Sequence, residues 1–327
     1  MTQAITFIFI GFLLLIKGAD LLVNGASNIA KKFHIPEIVI GLTIVSLGTS
    51  MPELFISLES AINGHPDMAM GNVIGSCACN LLLILGLSAS IRRIKIQRET
   101  RIFEVPMSLI FSLIFWYFCT TQNKIVREEG IILVLLFALF IFYTIIMAKK
   151  GEKFDEEKDE LENKEENEKN TKVENSKFLI MNNCIFVFLG ILGLKFGGEL
   201  TVNNAVIVAE YFKLSEQVIS LTILAVGTSL PELVTSVVAA AKGNSDIAIG
   251  NIIGSNIFNM LFIIGVTSLI SPIAYNVKYN IDMIVVIIST IVLALFPLIP
   301  PKNMMSKRNG ATYLVGYILY LILMFNV

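Results

Sequence analysis

The segment from Leu42 to Gly86 recurs without a gap 179 residues later, from Leu221 to Gly265. The first copy begins LTIVSLGTSMPELFIS and continues GHPDMAMGNVIGSCACNLLLILG. The second begins LTILAVGTSLPELVTS and continues GNSDIAIGNIIGSNIFNMLFIIG. The alignment pairs Thr43 with Thr222, Gly48 with Gly227, Thr49 with Thr228, Ser50 with Ser229, Pro52 with Pro231 and Glu53 with Glu232. It also pairs Asp67 with Asp246, Asn72 with Asn251, Ser76 with Ser255 and Asn80 with Asn259. Self-similarity on this scale decides the architecture before any local reading does.

The setting of the repeat is apolar: 55% of the 327 residues are hydrophobic, 16% are charged and the mean hydropathy is +0.75. Apolar runs of about 18 or more residues read as membrane helices. We expect ten, at roughly 3–25, 36–62, 68–90, 103–121, 129–148, 178–207, 215–241, 246–270, 281–299 and 310–326. The N-terminus has no basic leader, so the first run reads as a span rather than a cleaved signal. A stretch rich in Glu and Lys at 149–177 separates residues 1–148 from 178–327 and reads as a solvated linker. It lacks the spacing of a Ca2+-binding loop.

Lys and Arg favour alternate loops. Lys31 and Lys32, then Arg92, Arg93, Lys95, Arg98 and Arg101, then Lys149 and Lys150, then Lys302, Lys307 and Arg308 fall on one side. The other side has only Lys124, Arg127, Lys213 and Lys278. The richer side is expected to be cytoplasmic, which puts both termini outside and the linker inside. Five spans per half means that the halves enter the membrane in opposite orientations. The expected fold is therefore an all-α membrane protein of ten transmembrane helices, built as two inverted five-helix repeats. Such repeats form transporters whose sites lie near the midplane on broken helices.

The breaks are written in the repeat. Pro52 offers no N–H to the Gly48 carbonyl and disfavours helical angles at Met51; Pro231 acts likewise on Gly227 and Leu230. A glutamate follows each proline, and charge within a span is costly enough to mark function. Gly-Thr-Ser-x-Pro-Glu thus gathers carbonyl, hydroxyl and carboxylate oxygens, a donor set for hard cations. Ser76 with Asn80, and Ser255 with Asn259, stand four residues apart, on one helical face.

Simpler accounts suit other residues. Close packing explains Gly71, Gly75 and Gly86. Glu59, paired with Val238, can snorkel to the interface. Asp67 and Asp246 are expected as helix N-caps. Cys77, Cys79, Cys119 and Cys184 lie in apolar stretches and read as packing, and His34 and His65 belong to no ligand cluster. No Cys or His constellation supports an enzyme, and no cofactor is expected. The net charge of −1 argues against nucleic acid, and no obligate protein partner is evident.

These motifs resemble the cation/Ca2+ exchanger superfamily, within it the prokaryotic Na+/Ca2+ exchanger branch. The resemblance implies an antiporter of the cell membrane in which Na+ entry drives Ca2+ extrusion by alternating access. It implies that Glu53 and Glu232 bind both ions. Oxygens from Thr49, Ser50, Thr228 and Ser229, the backbone of Ser46 and Ala225, and Ser76, Asn80, Ser255 and Asn259 would complete the sites. Spans 1 and 6 would be the sliding pair. Some members carry Asp where Asn259 stands, in association with K+ co-transport; neutral Asn80 and Asn259 favour a K+-independent exchanger. The linker is too short for the Ca2+-sensing domains of animal exchangers. Competing readings are a Ca2+/H+ antiporter or an exchanger of another divalent ion, in which the glutamates carry protons, and a channel, which the closed charged site disfavours.

Overall fold

A computed structural model describes residues 2–162, 174–212, 225–298 and 302–326. Lys213, Leu221, Thr222 and the first part of the expected seventh span lie outside them, as does 163–173 of the linker. The helices are α1 Thr2–Lys32, α2 Glu37–Thr49, α3 Met51–Ile62, α4 Asp67–Ile91, α5 Arg98–Thr121, α6 Arg127–Lys149 and α7 Ile180–Tyr211. Then follow α8 Ala225–Gly227, α9 Leu230–Lys242, α10 Ser245–Ile270, α11 Tyr279–Leu298 and α12 Lys307–Asn326.

Among the described residues seven helices are long and apolar enough to cross a membrane, and the bent pair α2–α3 makes an eighth. The seventh expected span is only partly described, and α12 is a further 20-residue helix. The exterior is oily: Phe9 and Phe12 on α1, Leu139 and Phe142 on α6, and Ile318 and Ile322 on α12 are all exposed. Such a surface suits lipid, not water. The structure is thus a multi-pass, mostly helical membrane protein.

The interior is divided by position. α4 and α10 are the inner helices; Ile74, Ile84, Ile253 and Phe258 lie in the main apolar core. α1 packs along α7 through glycines. A Cβ on Gly18 would stand 2.8 Å from the Gly190 carbonyl oxygen, and one on Gly190 would stand 2.7 Å from the Leu22 nitrogen. Only hydrogen in place of a side chain permits this approach, the means by which membrane helices pack tightly.

Two short antiparallel ladders tie the ends of helices together. β1 (Ile94–Lys95) pairs with β4 (Met304–Met305), and β2 (Lys124–Ile125) pairs with β3 (Ile273–Ala274). Each ladder takes one strand from either side of the linker.

The linker is partly helical, and one expectation needs correction. The helix that contains α6 continues to Glu162, and the one that contains α7 starts at Glu174, so part of the linker is helical. Glu and Lys are good helix formers, and charge alone does not end a helix. Asp67 and Asp246 are not N-caps: Pro66 and Asn244 hold those positions, and the aspartates sit in the first turn. There they still face the positive helix end.

Candidate cation site

The helix breaks fall where proline chemistry puts them. α2 and α3 meet at 47°. Between them Ser50 adopts φ −86°, ψ 10°, and in the second half Ser229 adopts φ −87°, ψ 8° before α9. These near-identical bridge-region angles end one helix and start the next. Pro52 and Pro231 then occupy the first turn, where a missing N–H does no harm.

Each break delivers a glutamate to the centre. Glu53 and Glu232 are buried, and each is contacted from the opposite half. Ser50 Oγ donates to Glu232 Oε1 at 2.7 Å. Ser229 Oγ donates to Glu53 Oε1 at 3.5 Å, and Ser76 Oγ donates to the same oxygen at 3.4 Å. Ser50 Oγ also lies 2.9 Å from Ser255 Oγ, and Ser229 Oγ lies 3.2 Å from Ser76 Oγ. An approximate two-fold relation maps the first set of contacts onto the second.

A supporting layer repeats the same symmetry. Asn251 Nδ2 donates to the Glu232 carbonyl and to Ser236 Oγ; Asn72 Nδ2 donates to the Glu53 carbonyl and to Ser57 Oγ. These amides hold the first turns of α9 and α3 in place. Nothing in the repeat alone distinguished Asn72 and Asn251 as supports, because their partners lie 15 to 19 residues away.

The symmetry fails at particular positions. Thr49 Oγ1 donates to Asn251 Oδ1 at 3.0 Å, whereas Thr228 is half-buried and lines a cavity. Asn256 stands where the first repeat has Cys77, and Asn80 Nδ2 donates to Asn256 Oδ1 at 2.9 Å. Asn259, the counterpart of Asn80, has neither amide atom hydrogen-bonded. The Ser46 carbonyl already accepts the Ser50 N–H and the Thr49 hydroxyl. Ala225 opens the short α8.

Both asparagines lie at π-helical turns, Asn80–Ile84 in α4 and Phe258–Ile263 in α10. Such turns are frequent at functional sites because the widened ladder re-aims side chains. Residue spacing read as an ordinary helix does not reveal them.

Among the repeat residues singled out for cation binding, four buried oxygens have no hydrogen-bond partner: Glu53 Oε2, Glu232 Oε2, Asn80 Oδ1 and Asn259 Oδ1. Carboxylate and amide oxygens are the donor types that hard cations take, and serine hydroxyls contact both carboxylates. Among the described residues no group of three His, Cys, Asp or Glu comes together, so a zinc-type centre is not formed there.

Comparison with known proteins identifies the family. The family model described as "Sodium/calcium exchanger protein" matches the chain twice, over residues 3–146 and 183–326. The putative antiporter CaxA of Alkalimonas amylolytica is 34% identical over the whole of both chains. Sodium/calcium exchanger MaX1 of Methanosarcina acetivorans is 29% identical over 98% of each. A solved structure of the sodium-calcium exchanger NCX_Mj, soaked with Na+ and Sr2+, superposes with a TM-score of 0.82 at 28% identity over 98% of each chain.

Proposed function

The chain belongs to the sodium/calcium exchanger protein family, and on that premise we propose that it exchanges Na+ for Ca2+ across the cell membrane by alternating access, without K+ and with net movement of charge. In this reading the ten spans form two inverted five-helix repeats, with both termini outside and the linker cytoplasmic. Glu53, Glu232, Asn80 and Asn259 hold the ions with Ser50, Ser76, Ser229 and Ser255.

The observation that carries this reading is the pair of buried glutamates, each with one unpartnered oxygen. An uncompensated buried charge costs several kcal/mol even after relaxation. One Ca2+ balances two carboxylates, and so do two Na+. A third Na+ held by neutral amide and hydroxyl oxygens adds a charge that moves with the cycle. The membrane potential then contributes about 2.3 kcal/mol per charge per 100 mV. An empty site keeps two unbalanced charges in low dielectric, which opposes crossing between facing states and prevents leak.

The test is 45Ca2+ uptake into proteoliposomes loaded with Na+ and diluted into buffer free of Na+ and K+. Choline-loaded vesicles and the Glu232→Gln variant run beside it. Uptake that requires the outward Na+ gradient is the expected result. Equal uptake in choline-loaded vesicles under a pH gradient would assign the coupling to protons instead.

A further inference from the structure

A cavity of about 740 Å³ runs from exposed Met68, Lys195 and Glu199 to Ser76 and Thr228 at the cation site. One further carboxylate lines it, and it lies outside the repeat motif. Asp282, in the first turn of α11, is 3% exposed. Its Oδ1 accepts the Tyr320 hydroxyl of α12 at 2.6 Å, while its Oδ2 is buried and has no partner.

The first half holds the same arrangement. Glu104 in α5 is buried; its Oε1 accepts the Tyr143 hydroxyl of α6 at 2.8 Å, and its Oε2 has no partner. α5 follows α4 as α11 follows α10. Glu104 and Asp282 are separated by 178 residues, and Tyr143 and Tyr320 by 177, against 179 in the repeat. The pairs are therefore counterparts, displaced by small changes in loop length.

Chain direction places them at opposite faces. α4 starts at the cavity mouth, where Met68 lies and where Tyr279 packs on Gly71. Asp282, three residues after Tyr279, is at that end. α4 then crosses to Ile91, and Glu104 lies one short loop and one helical turn beyond it, at the far end. A carboxylate has about four acceptor positions, and one tyrosine hydroxyl leaves most of them unfilled. The unfilled positions suit a cation.

We propose that Asp282, held by Tyr320, is a staging site at which the incoming cation sheds part of its water before reaching Glu53 and Glu232. Glu104, held by Tyr143, does the same when the protein opens to the other face. In the present conformation the cavity reaches Asp282 and Glu104 is enclosed. The proposal rests on the exchange reading of the central site.

The test is the Ca2+ dependence of 45Ca2+ uptake in right-side-out and inverted membrane vesicles that contain the full chain. Asp282→Asn is expected to raise KM for Ca2+ roughly three- to tenfold from one face, with a smaller effect on the maximal rate. Glu104→Gln is expected to do so from the other face. Asp282→Glu, which keeps the charge, should return KM to within about twofold of the parent. If Asp282→Asn fails to accumulate in the membrane, Tyr320→Phe retains the carboxylate and is expected to raise KM on the same face. An unchanged KM on both faces, or one variant shifting both faces equally, would overturn the staging role. A parent chain that carried no Ca2+ would overturn the exchange reading as well, so the two failures are distinguishable.

Discussion

The Ser50 hydroxyl donates to Glu232 Oε1 at 2.7 Å, so the broken helix of one half holds the carboxylate of the other. The reciprocal contact from Ser229 to Glu53 is 3.5 Å long. A hydrogen bond to a buried charge is worth about 1.5–3 kcal/mol. Ser50→Ala is therefore expected to weaken Ca2+ binding roughly ten- to hundredfold, and Ser229→Ala to weaken it by less. Calorimetric titration of the two variants in detergent checks the order. Equal losses would mean that the shorter contact has no special part in binding.

Neutralising a glutamate separates stability from function. Glu53 and Glu232 each have a buried oxygen with no hydrogen-bond partner, so Glu232→Gln in Ca2+-free buffer is expected to unfold at the same temperature as the parent or a higher one. The same variant should lose the stabilisation that Ca2+ confers, about 2.7 kcal/mol at a concentration 100 times Kd. Thermal unfolding with and without Ca2+ reads both effects. A variant that unfolds early in Ca2+-free buffer would show the glutamate to be structural.

Asn259 tests the charge balance. Both of its amide atoms are buried without partners. Asn259→Asp adds a third negative charge, so charge balance calls for one further monovalent cation. Ca2+ uptake by this variant is expected to become dependent on added K+ or extra Na+, while the parent remains insensitive to K+. Uptake by the variant in the absence of added monovalent cation, at the parent's rate, would contradict the balance.

The glycine seam between α1 and α7 offers a mechanical test. A side chain at Gly190 meets backbone at 2.7 Å, and backbone cannot swing aside. Gly190→Val is expected to leave Ca2+ binding at equilibrium within about threefold and to slow exchange at least tenfold. Binding and flux measured on the same preparation decide whether the seam governs motion or only packing.

Much of this was legible in the repeat. Pro52 and Pro231 predict the breaks because a missing N–H acts locally, and the breaks lie at Ser50 and Ser229. Glu53 and Glu232 predict a buried centre because charge in a span is costly, and both are buried. What stayed hidden depends on tertiary placement. Pairing of Ser50 with Glu232 rather than with Glu53 follows from how the halves cross. The π-turns at Asn80 and Phe258 break the helical period without a sequence marker. Asp282 and Glu104 escape a gapless comparison because one residue of loop length shifts their register.

The two ladders also set an order of assembly. β1 can close only on β4, so Ile94 waits for Met305, and Lys124 waits for Ala274. Residues up to 148 can enter the bilayer as helices while the ribosome is still adding the remainder. Their strand edges stay open until nearly the whole chain has been made. Contacts between residues so far apart in sequence form late and slowly. A chain truncated before Met304 therefore lacks more than its last helix: the earlier half is left with strand β1 unpaired, an open edge.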